Sequence, residues 1–228
     1  MCKLPDKIQP KNRVQLVQLI DYAFKHKQYD LNFIDTSKIT DMSGLFTCIA
    51  HDFDVSSWDV SNVKDMSKMF SRCYAFTGKG LENWDVSNVT NMYSMFLHCK
   101  KFDCDLSNWD MSNVIDTSLM FSNCAKFTGK GLENWDVSKV KSMYAMFGDC
   151  TNFNCDVSNW DVSNVTDMDS MFVNCKKFTG KGLENWNVSK VKSMRTMFNG
   201  CKFNYHELDW DLSGLSSQLK TFRNYLAD

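Results

Sequence analysis

The sequence predicts a repeat solenoid, and three observations predict it. Trp58, Trp84, Trp109, Trp135, Trp160, Trp186 and Trp210 follow one another at spacings of 26, 25, 26, 25, 26 and 24 residues. Phe46, Phe70, Phe96, Phe121, Phe147, Phe172 and Phe198, each preceded by Met or Leu, keep spacings of 24, 26, 25, 26, 25 and 26. The third observation is a doubling of that period. Long copies read Phe-Thr-Gly-Lys-Gly-Leu-Glu-Asn-Trp at 76–84, 127–135 and 178–186, and shorter ones run from Phe102 to Trp109 and from Phe153 to Trp160. Phe70, Phe121 and Phe172 accordingly fall 51 residues apart. A fixed period of this size marks units that cannot bury an apolar face alone and do so by stacking.

Taken in chain order, residues 1–29 hold an N-terminal cap, because Leu16, Val17, Ile20, Ala23 and Phe24 share one face of a helix over 13–27. Residues 30–213 hold about eight coils of 25 or 26 residues. The first coil is atypical, with Ile34 in the Trp column and Ile49 where later copies have Cys. Within a coil, Leu81, Trp84, Val86, Val89, Met92, Met95, Phe96, Cys99 and Phe102 recur in register. Trp-Asp-Val and Val-Thr-Asp-Met read as short strands, and Met-Tyr-Ser-Met-Phe-Leu-His-Cys, with apolar steps of three and four, reads as one helical turn. Residues 214–228 place Leu215, Leu219, Phe222 and Leu226 at helical spacing, a second cap, so the whole is one folding unit.

The 228 residues carry 26 basic and 27 acidic side chains, a balance that gives no global attraction to nucleic acid or anionic membrane. The sequence shows no basic or aromatic stripe, since the aromatics belong to inward columns. No apolar run approaches the roughly 20 residues of a membrane span. The first 30 residues lack the apolar stretch of a signal peptide, which predicts a cytoplasmic chain. Ten Cys without disulfide or zinc spacing favour a reducing compartment.

The candidate chemistry lies in columns. Cys73, Cys99, Cys124, Cys150, Cys175 and Cys201 read as buried small hydrophobes, while Cys104 and Cys155 form a second column open to oxidation. The Met column reads as core. Asp59, Asp85, Asp110, Asp136, Asp161 and Asp211, with Asn187 among them, follow the Trp ladder and precede Ser by two, which suits Asx-turn capping. Calcium is the sharper alternative, but the Gly-Gly-x-Gly-x-Asp signature is missing. Thr-Gly-Lys-Gly lacks the phosphate-loop pattern, and its glycines suit a turn with positive φ. His26, His51, His98 and His206 share no column. No metal, cofactor or catalytic cluster is predicted, and the chain is expected not to be an enzyme. One outward feature remains. Lys141 and Lys192 lie one position from the register of Asp116 and Asp167, and Lys79, Lys130 and Lys181 lie beside the short-coil Asp105 and Asp156. The doubled repeat is expected to interleave these opposite charges between coils.

The stretch 160–178, Trp-Asp-Val-Ser-Asn-Val-Thr-Asp-Met-x-Ser-Met-Phe-x-x-Cys-x-x-Phe, resembles the bacterial surface-protein 26-residue repeat grouped with BspA-like leucine-rich repeats. The resemblance covers about residues 30–213. It implies a right-handed, leucine-rich-repeat-like β-solenoid, no shared catalytic site, and adhesion or host interaction at the cell surface or in secretion where a signal has been removed. The functional expectation is a recognition scaffold, monomeric or weakly self-associating, that binds a protein or glycan along one extended face. The alternative is a structural, self-assembling module without a dedicated ligand.

Overall fold

In a computed structural model the described residues are 7–204, 208–213 and 215. Helix α1 spans Arg13–Lys25; the Asn12 side chain accepts from the Gln15 amide at its start, satisfying one of the free N–H groups there. Leu16, Ile20 and Ala23 are buried against the first repeat. The segment ahead of the helix is tied in as well: Ile8 bridges Ile34 in parallel, donating to Phe33 O at 2.8 Å and accepting from Asp35 N at 2.9 Å. The predicted C-terminal helix falls on residues outside those described, apart from Leu215.

Each repeat lies directly on the next. Parallel bridges join Asp41 to Asp65, Asn91, Asp116, Ser142, Asp167 and Ser193 in turn, always one repeat further on. The register is held by alternate amides. In the second repeat, Met66, Lys68, Phe70 and Arg72 donate to Asn91, Tyr93, Met95 and Leu97 carbonyls of the third, at 2.6–3.0 Å. The amides between them close local turns, as Met69 N to Met66 O and Cys73 N to Phe70 O.

This arrangement corrects the local reading. The Met-x-x-Met-Phe run is not a helical turn, and among the described residues the repeats form isolated bridges in place of strands. The reason lies in two residues per repeat with left-handed backbone. Lys68, Ser94, Leu119, Ala145, Ser170 and Thr196 form one such column, and Arg72, His98, Asn123, Asp149 and Asn174 the other, four residues on. Each sits third in a four-residue turn, the position that needs positive φ. For a residue with a Cβ this costs about 1–2 kcal/mol, offset here by the amide each turn delivers to the neighbouring repeat.

The interior is a set of ladders. Seven Phe rings, from Phe46 to Phe198, stack nearly parallel, with centroids 5.5–6.0 Å apart and planes within 9°. The second Phe of each repeat packs beside the first, as Phe121 with Phe127 at 4.2 Å. The Met pairs, such as Met92 and Met95, are fully buried. A buried Phe contributes roughly 1.5–3 kcal/mol, so repetition of one pattern supplies a continuous core.

The doubling of the repeat has a steric cause. Gly80, Gly131 and Gly182 press on Ser56, Ser107 and Ser158 of the preceding short repeat, where a Cβ would stand 2.1–2.4 Å from its nearest atom. Gly78, Gly129 and Gly180 press on Phe102, Phe153 and Phe203 of the following one, at 2.4–2.7 Å. The extra residue of the long copy is thus clamped from both sides. Two long copies in succession would set one Gly-Lys-Gly turn on another.

Candidate functional site

The Trp column lies inside. Each indole is at most 7 % exposed and donates through Nε1 to a carbonyl one repeat back: Trp58 to Leu31, Trp84 to Val55, Trp109 to Leu81, Trp135 to Leu106, Trp160 to Leu132, Trp186 to Val157 and Trp210 to Leu183, at 2.8–3.2 Å. Ile34 occupies the same column in the first repeat, with its amide bonded to Leu31 O as Trp58 N is to Val55 O.

The Asp column faces solvent and is engaged at home. Oδ1 of Asp59, Asp85, Asp110, Asp136, Asp161 and Asp211 accepts from the Ser amide two residues on, and Asn187 does the same. Hydrogen bonds from that Ser, side chain first and then main chain, hold the Asp85, Asp136 and Asp161 carboxyls below the usual range. The Asn column beside it runs the same way: Asn88 and Asn113 donate to Ser61 and Ser87 carbonyls one repeat back, and Lys139 and Lys190 reach Asn113 and Asn164 Oδ1.

The lysines divide. Lys130 pairs with Asp105 at 2.9 Å and Lys181 with Asp156 at 2.6 Å, each reaching back to the preceding short repeat. The Lys181 hydrogen bond, then those of Ser158, lower Asp156 to about 2. Lys79 has no short-repeat Asp of that kind within ion-pair distance among the described residues; it acts on Asp54 through its field alone. Lys141 and Lys192 do not pair with Asp116 or Asp167, contrary to expectation. In an extended segment neighbouring side chains point to opposite sides, so one position separates an exposed Lys141 from the half-buried bridge column. Asp167 is instead raised above the usual carboxylate range, by burial first and by Asp169 and Asp116 nearby.

The Cys column differs from a purely apolar reading. Each buried thiol donates to a Phe carbonyl one repeat back: Cys73 to Phe46, Cys99 to Phe70, Cys124 to Phe96, Cys150 to Phe121 and Cys175 to Phe147, at 2.8–3.1 Å. Cys104 and Cys155, expected to be open, are 8 % and 3 % exposed, and burial pushes both up to about 12. Neither is poised to react as a thiolate. The exposed thiol among the described residues is Cys48.

The histidines of the described residues stand apart from one another. His26 contacts Tyr22 O at the end of α1, His51 packs on Phe24 and Tyr29, and His98 lies on the left-handed column; His206 is outside the described residues. The described residues hold no group of three or more His, Cys, Asp or Glu placed for a metal. Among the described residues, shallow polar depressions open to solvent. One, of about 400 Å³, is lined by Ser67, Lys68, Asn91, Tyr93 and Asp116; another, of about 310 Å³, by Thr77, Lys79, Glu82, Asp103 and Asp105. In the second, the engaged groups are again structural: Thr77 clasps Asp52 through its amide and hydroxyl, and Thr128 clasps Asp103 in the same way.

Stacking also creates what the linear sequence hides, a basic edge. Cys-x-x-Phe closes a turn in five repeats, with Phe N donating to Cys O, and the two residues between face outward. Lys100, Lys101, Lys126, Lys176 and Lys177 occupy these positions, Lys202 the shortened last copy, and no acid occurs there. The signal lies in the sequence, but only when the copies are aligned on the Cys column.

Stacked copies of one unit, with polar side chains engaged between copies, define a tandem-repeat protein. A family model described as "Mycoplasma protein of unknown function, DUF285" matches residues 15–131 and 117–227, and the chain belongs to that family of bacterial repeat proteins. Neither curated proteins nor solved structures gave a match. No helix among the described residues is long and apolar enough to cross a membrane.

Proposed function

We propose that this chain is a leucine-rich-repeat-like solenoid of the BspA-like kind and serves as a non-enzymatic recognition scaffold, binding a protein or glycan along one extended face. One observation supports the reading most directly. The groups that could do chemistry are spent on holding the structure: thiols and Asn on carbonyls of the preceding repeat, Asp on amides of its own turn. What remains outward is a repeating, shallow surface, which suits an extended partner better than a small substrate.

Light scattering across concentration, in reducing buffer with and without calcium, tests it. The reading expects a monomer indifferent to calcium. Growth into dimers or longer species would favour a self-assembling module, and a calcium-dependent change would make the Asp column a metal site.

A further inference from the structure

We propose that the lysine edge formed by the Cys-x-x-Phe turns is a docking strip for a linear, sulfated or uronate-bearing glycan. This rests on the scaffold reading and names its partner.

The strip is built by the fold. Lys100, Lys101, Lys126, Lys176 and Lys177 stand between two buried ladder positions, Cys and Phe, so the turn fixes where each leaves the surface, while Lys202 lies between half-buried Cys201 and Phe203. All six lysines, and Arg72 on the neighbouring column, are exposed, and none forms an ion pair with another described residue. Elsewhere the molecule does match its charges, as at Lys130–Asp105 and Lys181–Asp156. Carboxylates near the strip are engaged elsewhere: Asp149 accepts from Asn174 at 2.8 Å, and Asp103 accepts from the Thr128 amide and hydroxyl. The cations also crowd one another: His98 is held below its usual pKa by burial first, then by Arg72 and Lys100.

Geometry selects the partner. Successive repeats advance by about 4.8 Å, so the strip from Arg72 to Lys202 is a row of cations about 24 Å long. It has a break at the fifth repeat, where Thr151 and Asn152 turn onto Ala125 O. A row with regular spacing fits a polymer bearing an anion on each unit. Single-stranded nucleic acid needs a series of aromatic platforms for its bases. Tyr74 is the one large exposed aromatic on the strip, and the Lys100 ammonium lies over its ring at 5.6 Å. A membrane surface needs several apolar side chains to insert beside the cations, and Tyr74 is the single large hydrophobic that the strip exposes among the described residues. Lysine contributes point charges without bidentate geometry, which suits dispersed sulfate and carboxylate groups.

The test titrates the full chain with a heparin-derived decasaccharide at low and high salt. The expected result is binding that weakens steeply with salt and falls by roughly tenfold or more in Lys100→Glu/Lys101→Glu and in Lys176→Glu/Lys177→Glu. Lys141→Glu/Lys192→Glu, with the same change in net charge on another side, is expected to bind as the parent does. Equal loss in that control, or no binding at low salt by a chain that scattering shows to be monomeric, overturns the strip and leaves the scaffold reading standing. Tighter binding of oligothymidylate, polyglutamate or anionic vesicles than of the decasaccharide also overturns it. Concentration-dependent assembly would instead remove the reading beneath it.

Discussion

The thiol of Cys124 donates to the main-chain carbonyl of Phe96, 3.0 Å away and one repeat back, and that carbonyl also accepts from Cys99 N at 2.9 Å. The column therefore combines packing with a weak donor. Cys124→Ala is expected to cost about 1–2 kcal/mol as a fully buried truncation. Cys124→Ser, smaller in reach but still a donor, is expected to cost less. Guanidinium titration of the two variants decides: if Ala is the milder change, the column is packing alone.

Alkaline pH should unfold this protein steeply. Burial pushes Cys73, Cys104 and Cys155 up to about 12 and Cys201 to about 11, and moves Cys99, Cys124, Cys150 and Cys175 upward as well. A free thiol in the unfolded chain ionises near pH 8.5. Above that value the unfolded state binds fewer protons than the folded one, so stability falls as pH rises. Each buried thiol removes up to about 1.4 kcal/mol per pH unit until its folded value is reached. Below about pH 8 these groups contribute no pH dependence. Denaturant midpoints from pH 7 to pH 11 check this, and a Cys124→Val/Cys150→Val variant should show a shallower decline.

Two glycines separate steric need from mere presence. At Gly131, with φ +89°, a Cβ would meet Ser107 N at 2.4 Å and Asp105 Oδ1 at 2.5 Å. Gly148 has ordinary φ, and its nearest neighbour to a Cβ is Val173 Cγ1 at 3.2 Å. Gly131→Ala is expected to cost about 3 kcal/mol, combining left-handed strain with displacement of the short repeat. Gly148→Ala is expected to stay within about 1 kcal/mol. Comparable losses, read by thermal or denaturant unfolding, would mean the long copy is not clamped by its neighbours.

The columns were legible in the sequence because stacking identical units turns a period into a ladder: Trp135, Met143, Phe147 and Cys150 needed only alignment to be placed inside. The local backbone was not. Apolar steps of three and four suit a helical turn, yet Ala145 and Asp149 are left-handed; nothing in Met-Tyr-Ala-Met-Phe-Gly-Asp-Cys announces it, because the cause is the amide ladder to the next repeat. The pairing of Lys141 with Asp167 failed on one residue of register. Lys130 with Asp105 was placed correctly because the Gly-Lys-Gly turn holds that lysine against the short copy. The basic edge went unread because its lysines are spread over five repeats.

Trp135 tests the whole arrangement from its middle. It is 2 % exposed, packs with Phe121 at 6.2 Å and donates to Leu106 O, which also accepts from Trp109 N. Trp135→Phe keeps most of the ring and loses one of two donors to that carbonyl, an expected cost of about 1–2 kcal/mol. Trp135→Ala is expected to cost about 3–5 kcal/mol. In a chain whose repeats touch only their neighbours, a defect at the centre also weakens the coupling between the two halves. Unfolding of Trp135→Ala should therefore broaden or split into two transitions, while Trp58→Ala, next to the cap, should lower the midpoint with one transition kept. A cost below about 1 kcal/mol at Trp135, with the transition still single, would place the indole column outside the core.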